Sequence, residues 1–162
     1  YNKKYGDLKH AATQHDGLAV VGILFQESEN GTEELDSLLR VVRAVSGTVQ
    51  AKERLPHNFN PIDFLPDDRS SFFRYQGSLT TPPCSETVKW TVMHTLMPIS
   101  QDQIKTFRQI STDSGILKQN YRRLQDINKR DVYFLSDNGA STMSAAFSVT
   151  LFSICVFLVQ YR

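Results

Sequence analysis

Apolar and polar positions along the chain alternate between two periods. Residues 17–25 are a nearly continuous apolar run holding Val20, Val21 and Ile23, which predicts a strand buried on both faces. Leu35, Leu38, Leu39, Val42 and Val45 then recur at helical spacing. Thr32 is the expected N-cap of that helix, Glu33 and Glu34 suit its first turn, and Gly47 is the expected stop. This stripe predicts core packing and no chemistry. Residues 59–67, with Pro61 and Pro66, predict an extended, punctuated loop, and residues 71–76 a short strand leading to Gly77. From 87 to 97 the chain alternates, with Val88, Trp90 and Val92 on one face and Thr87, Lys89 and Thr91 on the other. Ser100 and Gln103 have the spacing of a capping box, with Ile99 and Ile104 as a hydrophobic staple across it. Residues 1–15 are polar and turn-like, with Gly6 a turn residue.

Between the second and third predicted strands lies the run Ser78-Leu79-Thr80-Thr81-Pro82-Pro83-Cys84. The prolines fix φ and remove two backbone donors, and Pro82 pushes Thr81 toward an extended conformation. Thr80 and Thr81 therefore sit on a stiff, non-helical corner with their hydroxyls and the Thr80 N–H free to point at a ligand. On composition alone, a plain Pro-rich turn before a strand is the better account of it.

The chain has 162 residues, enough for a domain with its own core. A net charge of +1 gives no electrostatic case for nucleic acid as a partner. The two cysteines, Cys84 and Cys155, are no disulfide framework in themselves. Asn30-Gly31-Thr32 is a glycosylation sequon in a predicted turn. The C-terminal part is a different material. Residues 145–159 are uncharged and apolar, about 15 residues where a membrane span needs roughly 20. Small and polar residues at 136–144 precede them. Together these predict a glycolipid-anchor signal, with a short transmembrane helix or a domain helix as the alternatives.

The order Ser78 to Cys84, followed by Glu86, Val88 and Trp90, resembles the signature of the α-class carbonic anhydrases. Residues 2–7 (Asn-Lys-Lys-Tyr-Gly-Asp) resemble that family's segment after its third zinc histidine, and residues 16–23 its next core strand. Asn58, Pro61, Leu65 and Pro66 fit the run into the signature, and residues 120–125 and 128–134 its last loop and closing strand. The resemblance implies a C-terminal part of that domain over 1–135, and the composition of the tail adds a spacer at 136–144 and an anchor signal at 145–162. It implies a mainly β, α+β fold: a large, twisted, mostly antiparallel sheet with short peripheral helices.

It also implies a reaction, the reversible hydration of carbon dioxide to bicarbonate by zinc-bound hydroxide. Thr80 matches the threonine that orients the hydroxide, and its N–H would hold a substrate oxygen. Thr81, Leu79, Val20 and Trp90 match the wall around the substrate. The resemblance puts the family's three zinc histidines upstream of Tyr1, and none of His10, His15, His57 and His94 matches a ligand position. No zinc is therefore expected on this chain by itself. Cys84 matches a disulfide cysteine whose partner also lies upstream. Arg122, Arg123 and Arg130 are expected to be structural donors. Together with the sequon at Asn30 and the tail, the resemblance implies an enzyme anchored on the extracellular face of the plasma membrane. The alternative is a binding or adhesion protein on the same fold, with the zinc histidines lost.

Overall fold

The alternating stretch that contains Trp90 becomes the second strand of a five-stranded sheet. The computed structural model describes residues 1–117 and 119–143, so the apolar run at 145–159 and Cys155 lie outside the described residues. In chain order the elements are α1 (Leu8–Ala11), β1 (Leu18–Gly22), β2 (Phe25–Ser28), α2 (Glu34–Ser46), β3 (Phe72–Gly77), β4 (Val88–Met93), β5 (Met97–Ser100), α3 (Gln101–Phe107), β6 (Ser111–Thr112), β7 (Gly115–Ile116), β8 (Val132–Ser136) and β9 (Gly139–Met143). They divide into two units. One holds residues 1–24, 67–95 and the described residues from Arg122 onward; the other holds 25–66 and 96–121. The fold is mainly β with a few short helices, as expected. Among the described residues no helix is long and apolar enough to cross a membrane.

In the first unit the strand order is β1-β4-β3-β8-β9. Three of its pairings are antiparallel, and β1 runs parallel to β4 with Val20 opposite Trp90. Ala11, Leu18, Val88 and Trp90 form the buried core, with Tyr5, Tyr75, Leu79, Val20 and Val92 packed against it. The expectation that the first apolar run is buried on both faces is wrong. Ala19 is exposed and Val21 is 50% exposed. The reason is packing: the Leu18–Val20–Gly22 side of β1 meets the core cluster, while Ala19 and Val21 point to the opposite face of the sheet, which is left open there. The alternation expected over 87–97 also stops early. The chain bends at His94, whose N–H donates to Ser71 O at 3.1 Å, and Met97 starts a separate strand.

The N-terminal segment is tied to the start of β1 through one carboxylate. Asp16 accepts from Lys4 Nζ at 2.6 Å, from the Tyr5 hydroxyl and from Asn2 Nδ2 at 3.4 Å. Gly17 O takes the Asn2 N–H at 2.8 Å. Gly17 has no room for a side chain, because a Cβ there would lie 1.6 Å from Ala11 O.

The second unit is built on Leu35, Leu39 and Ile99, with Phe25, Leu38, Phe64, Ile104 and Phe107 around them. The predicted stripe of α2 faces this cluster, and Leu39 is fully buried. β2 pairs with β5 in parallel. The capping box is present: Ser100 Oγ accepts from Gln103 N, and Gln103 Oε1 accepts from Ser100 N. Gln103 does more than cap. Its amide nitrogen donates to Thr32 O at 2.8 Å and to Asp36 Oδ1 at 3.2 Å. Gly31 is packed against that amide, where a Cβ would lie 1.9 Å from Gln103 Oε1. Thr32 is not the side-chain cap of α2, contrary to expectation. Its hydroxyl donates to the Glu34 carboxylate, while Glu33 occupies the cap position with no side-chain bond. The donated bond holds the Glu34 carboxyl below its ordinary range. The loop at 59–67 is not wholly extended: Pro61–Phe64 is a turn of 3-10 helix capped by Asn60.

Hydrogen bonds from Lys4 and Tyr5 lower the Asp16 pKa to about 2. The unfolded chain therefore binds more protons in that window, and the stabilisation present above about pH 4 is lost as pH falls toward 2. Asp16→Asn is expected to flatten the acid limb. Urea midpoints of the intact protein between about pH 5 and 2 should fall more steeply for wild type than for the variant. Parallel curves would remove the carboxylate from this role.

Candidate active-site wall

The residues from Gly77 to Val88 leave β3, turn a corner and return as β4, so the register of those two strands fixes where the corner sits. Gly77 lies opposite Val88 and Tyr75 opposite Trp90. At the base of the corner the Leu79 N–H donates to Ser85 O at 3.0 Å. At its tip the Cys84 N–H donates to Thr81 O at 2.9 Å, closing a turn over the cis Pro82–Pro83 bond. Cys84 has φ +57° and a half-buried, free thiol.

Thr80 is half-buried, and Thr81 is exposed. Neither the Thr80 hydroxyl nor its N–H has a hydrogen-bond partner among the described residues. The corner thus presents one hydroxyl, able to donate and accept, and one backbone donor from the same residue. Leu79, just before it, packs against the cluster that holds Val20 and Trp90. Three of the predicted wall residues, Val20, Leu79 and Trp90, are therefore gathered in one apolar group beside the Thr80 corner. Val88 belongs to the same group and is fully buried. The alternation places Val88 on the Trp90 face, and it packs as core behind the wall.

Trp90 organises the wall. Its indole stacks on Tyr75 with ring centroids 6.3 Å apart and planes 5° from parallel. Its Nε1–H donates to Ser78 O at 3.1 Å. Burial raises the Tyr75 hydroxyl above its ordinary pKa, and the charge of Arg130 partly offsets this. Two of the three arginines expected to be structural donors, Arg122 and Arg130, act as donors here, and Arg123 is exposed. Arg130 Nη2 donates to Asp126 O at 2.7 Å and Nη1 to Gln76 O at 3.4 Å. Arg122 Nη1 reaches Ser78 Oγ at 3.2 Å and Leu79 O at 3.5 Å. Nothing in the sequence pattern connects Arg122 to the corner.

The four histidines lie at the surface. All four are exposed; His10 meets Tyr5 edge-on, and His94 lies tilted against Phe73 and edge-on to Phe134. Tyr1, the residue before which the resemblance puts the zinc histidines, is 56% exposed. Its hydroxyl donates to Gly6 O at 3.3 Å, so its side chain folds back on the first turn and takes no part in the Thr80 wall. Among the described residues no group of three or more His, Cys, Asp or Glu could hold a metal ion. The described side chains do not by themselves fit a zinc centre. Asn30 is exposed at a bend between β2 and α2.

The family model for eukaryotic-type carbonic anhydrase matches residues 1–136. Carbonic anhydrase 3 of Homo sapiens is 34% identical over 140 residues, covering 82% of this chain and 51% of that protein. Carbonic anhydrase 6 of Mus musculus is 32% identical, covering 82% of this chain and 42% of its own length. Carbonic anhydrase 12 of Homo sapiens is 30% identical, covering 80% and 38%. The chain belongs to the eukaryotic-type carbonic anhydrase family. It spans about half, or less, of the length of the curated relatives it matches.

Gly77 is where the wall has no slack. A Cβ there would lie 2.9 Å from both Trp90 Cδ1 and Tyr75 Cε2. Gly77→Ala is expected to force the stacked rings apart, at a cost of about 1–3 kcal/mol. Near-ultraviolet circular dichroism and denaturant melts of the intact protein check this. An unchanged aromatic spectrum with unchanged stability would show that the stack tolerates the methyl group.

Proposed function

We propose that the whole protein is a carbonic anhydrase, interconverting carbon dioxide with bicarbonate and a proton, and that this chain supplies the substrate-facing wall. The observation that carries the reading is Thr80, half-buried beside an apolar group, with hydroxyl and N–H both unpartnered among the described residues. A nonpolar gas suits a wall of Val20, Leu79 and Trp90. In the assembled site the threonine hydroxyl would accept a hydrogen bond from the attacking hydroxide and so would aim a lone pair at the carbon. Its N–H holds an oxygen of the substrate, where charge develops. Thr81 lines the same wall. A zinc ion would have to be held by residues outside this chain, and the chemistry it would supply is a bound water with its pKa lowered to about 7. Membership of the family and the match of Thr80 to its signature both support these roles.

The test is a pair of substitutions in the intact protein. Thr80→Ala is expected to lower kcat on the order of tenfold to a thousandfold, and Thr80→Ser to retain most activity. Alanine removes the acceptor while serine keeps it. Equal activity of the two variants would sink the role, and an inactive wild-type enzyme would favour a binding protein on this fold.

The setting we propose is the extracellular face of the plasma membrane. There Asn30 is glycosylated, Cys84 is paired with a cysteine outside this chain, and the segment 145–162 directs attachment of a glycolipid near 136–141. Supporting this are the exposed sequon, the free and half-buried Cys84, and the uncharged run too short for a comfortable span. A phospholipase that cuts glycolipid anchors is expected to release the protein from cells. Retention on the membrane together with an epitope placed after Arg162 would identify a transmembrane helix instead.

A further inference from the structure

The corner is held at its base from two sides, and both grips fall on one residue. Trp90 Nε1–H donates to the Ser78 carbonyl at 3.1 Å. Arg122 Nη1 donates to the Ser78 hydroxyl at 3.2 Å and to the Leu79 carbonyl at 3.5 Å. A guanidinium is planar and has five donors in a fixed fork, so it fixes direction as well as distance. Ser78 and Leu79 are the two residues between β3 and Thr80. Their two carbonyls point at donors from opposite partners, an indole on the core side and an exposed arginine on the other. The segment that carries Arg122 is anchored in turn. Arg130 closes on the carbonyls of Asp126 and Ile127 and reaches Gln76 O, one residue before the end of β3. The stretch from Arg122 to Arg130 thus braces the strand just before the corner and the corner itself.

We propose that Arg122 is a positioning residue for Thr80, acting through Ser78 and Leu79 and making no contact with the substrate. The inference rests on the proposed reaction for its kinetic consequence, but the brace itself does not. Small displacements of a preorganised donor and acceptor matter because the reaction is sensitive to about an ångström of misplacement.

The experiment uses the intact protein with Arg122→Ala, Arg122→Lys, Ser78→Ala and the Arg122→Ala/Ser78→Ala double variant. Arg122→Ala is expected to lower kcat roughly tenfold to a hundredfold with KM little changed. Lysine, which keeps one charged donor without the fork, should recover part of the loss. The double variant should lose no more than the worse single one, since both remove the same link. In parallel, the indole N–H resonance of Trp90, assigned by its disappearance in Trp90→Phe, should shift in Arg122→Ala. If kcat stays within about twofold of wild type while the resonance shifts, the brace exists but does not position the reaction, and the proposal is overturned. If the resonance does not move, the brace is absent and the proposal is likewise overturned. A wild-type protein with no activity would count against the proposed function alone, and the indole resonance would still decide the brace.

Discussion

An indole in a sheet makes three demands at once: a flat surface to stack on, an acceptor for its N–H, and space at its edge. Around Trp90 each demand is met by a different residue of the neighbouring strand or its extension. Tyr75 supplies the surface, Ser78 O the acceptor, and Gly77 the missing Cβ. These residues lie within four positions of each other, so the antiparallel register of β3 against β4 cannot slip without losing all three. The Thr80 corner inherits its position from that register. Its base is at Leu79 and Ser85, and its tip is the turn from Thr81 to Cys84.

The second unit depends on a comparable hub of a different chemical kind. The Gln103 amide satisfies Ser100 N, Thr32 O and Asp36 Oδ1 while itself nearly buried. A buried amide satisfied on both ends holds a connection in place, whereas one left half-satisfied costs stability. Gly31 leaves the room for it. The loop that carries the sequon is therefore short of freedom at Gly31 and Thr32 and exposed at Asn30.

How far these arrangements could be read from the residues depended on whether the cause was local. The capping box and the α2 stripe were legible because helical spacing and cap chemistry act within a few residues. The Val88–Trp90–Val92 face was legible because period two is a direct consequence of the pleat. Thr32 was misread, since a hydroxyl can donate to a nearby carboxylate as well as accept from an N–H, and spacing does not tell the two apart. The exposed side of β1 was invisible because the same apolar run serves a sheet covered on one face or on both; only the packing on those faces separates the two. The Thr80 corner was legible through its signature. The arginine that braces it was not, because Arg122 is separated from Ser78 by more than forty residues of chain.

Both units contain a parallel strand pair, β1 with β4 and β2 with β5, and in each the partners are about seventy residues apart. A ribosome adds roughly 5–20 residues per second, so the first strand of each pair waits several seconds for its mate. During that wait β1 and β2 emerge almost together with unsatisfied backbone edges, β1 apolar and β2 mostly polar. The first strands of both units are thus committed to synthesis well before either can close. A newly made chain of this kind depends on whatever shields those edges in the interval, and its yield in a cell is governed by that shielding as much as by the stability of the finished sheet.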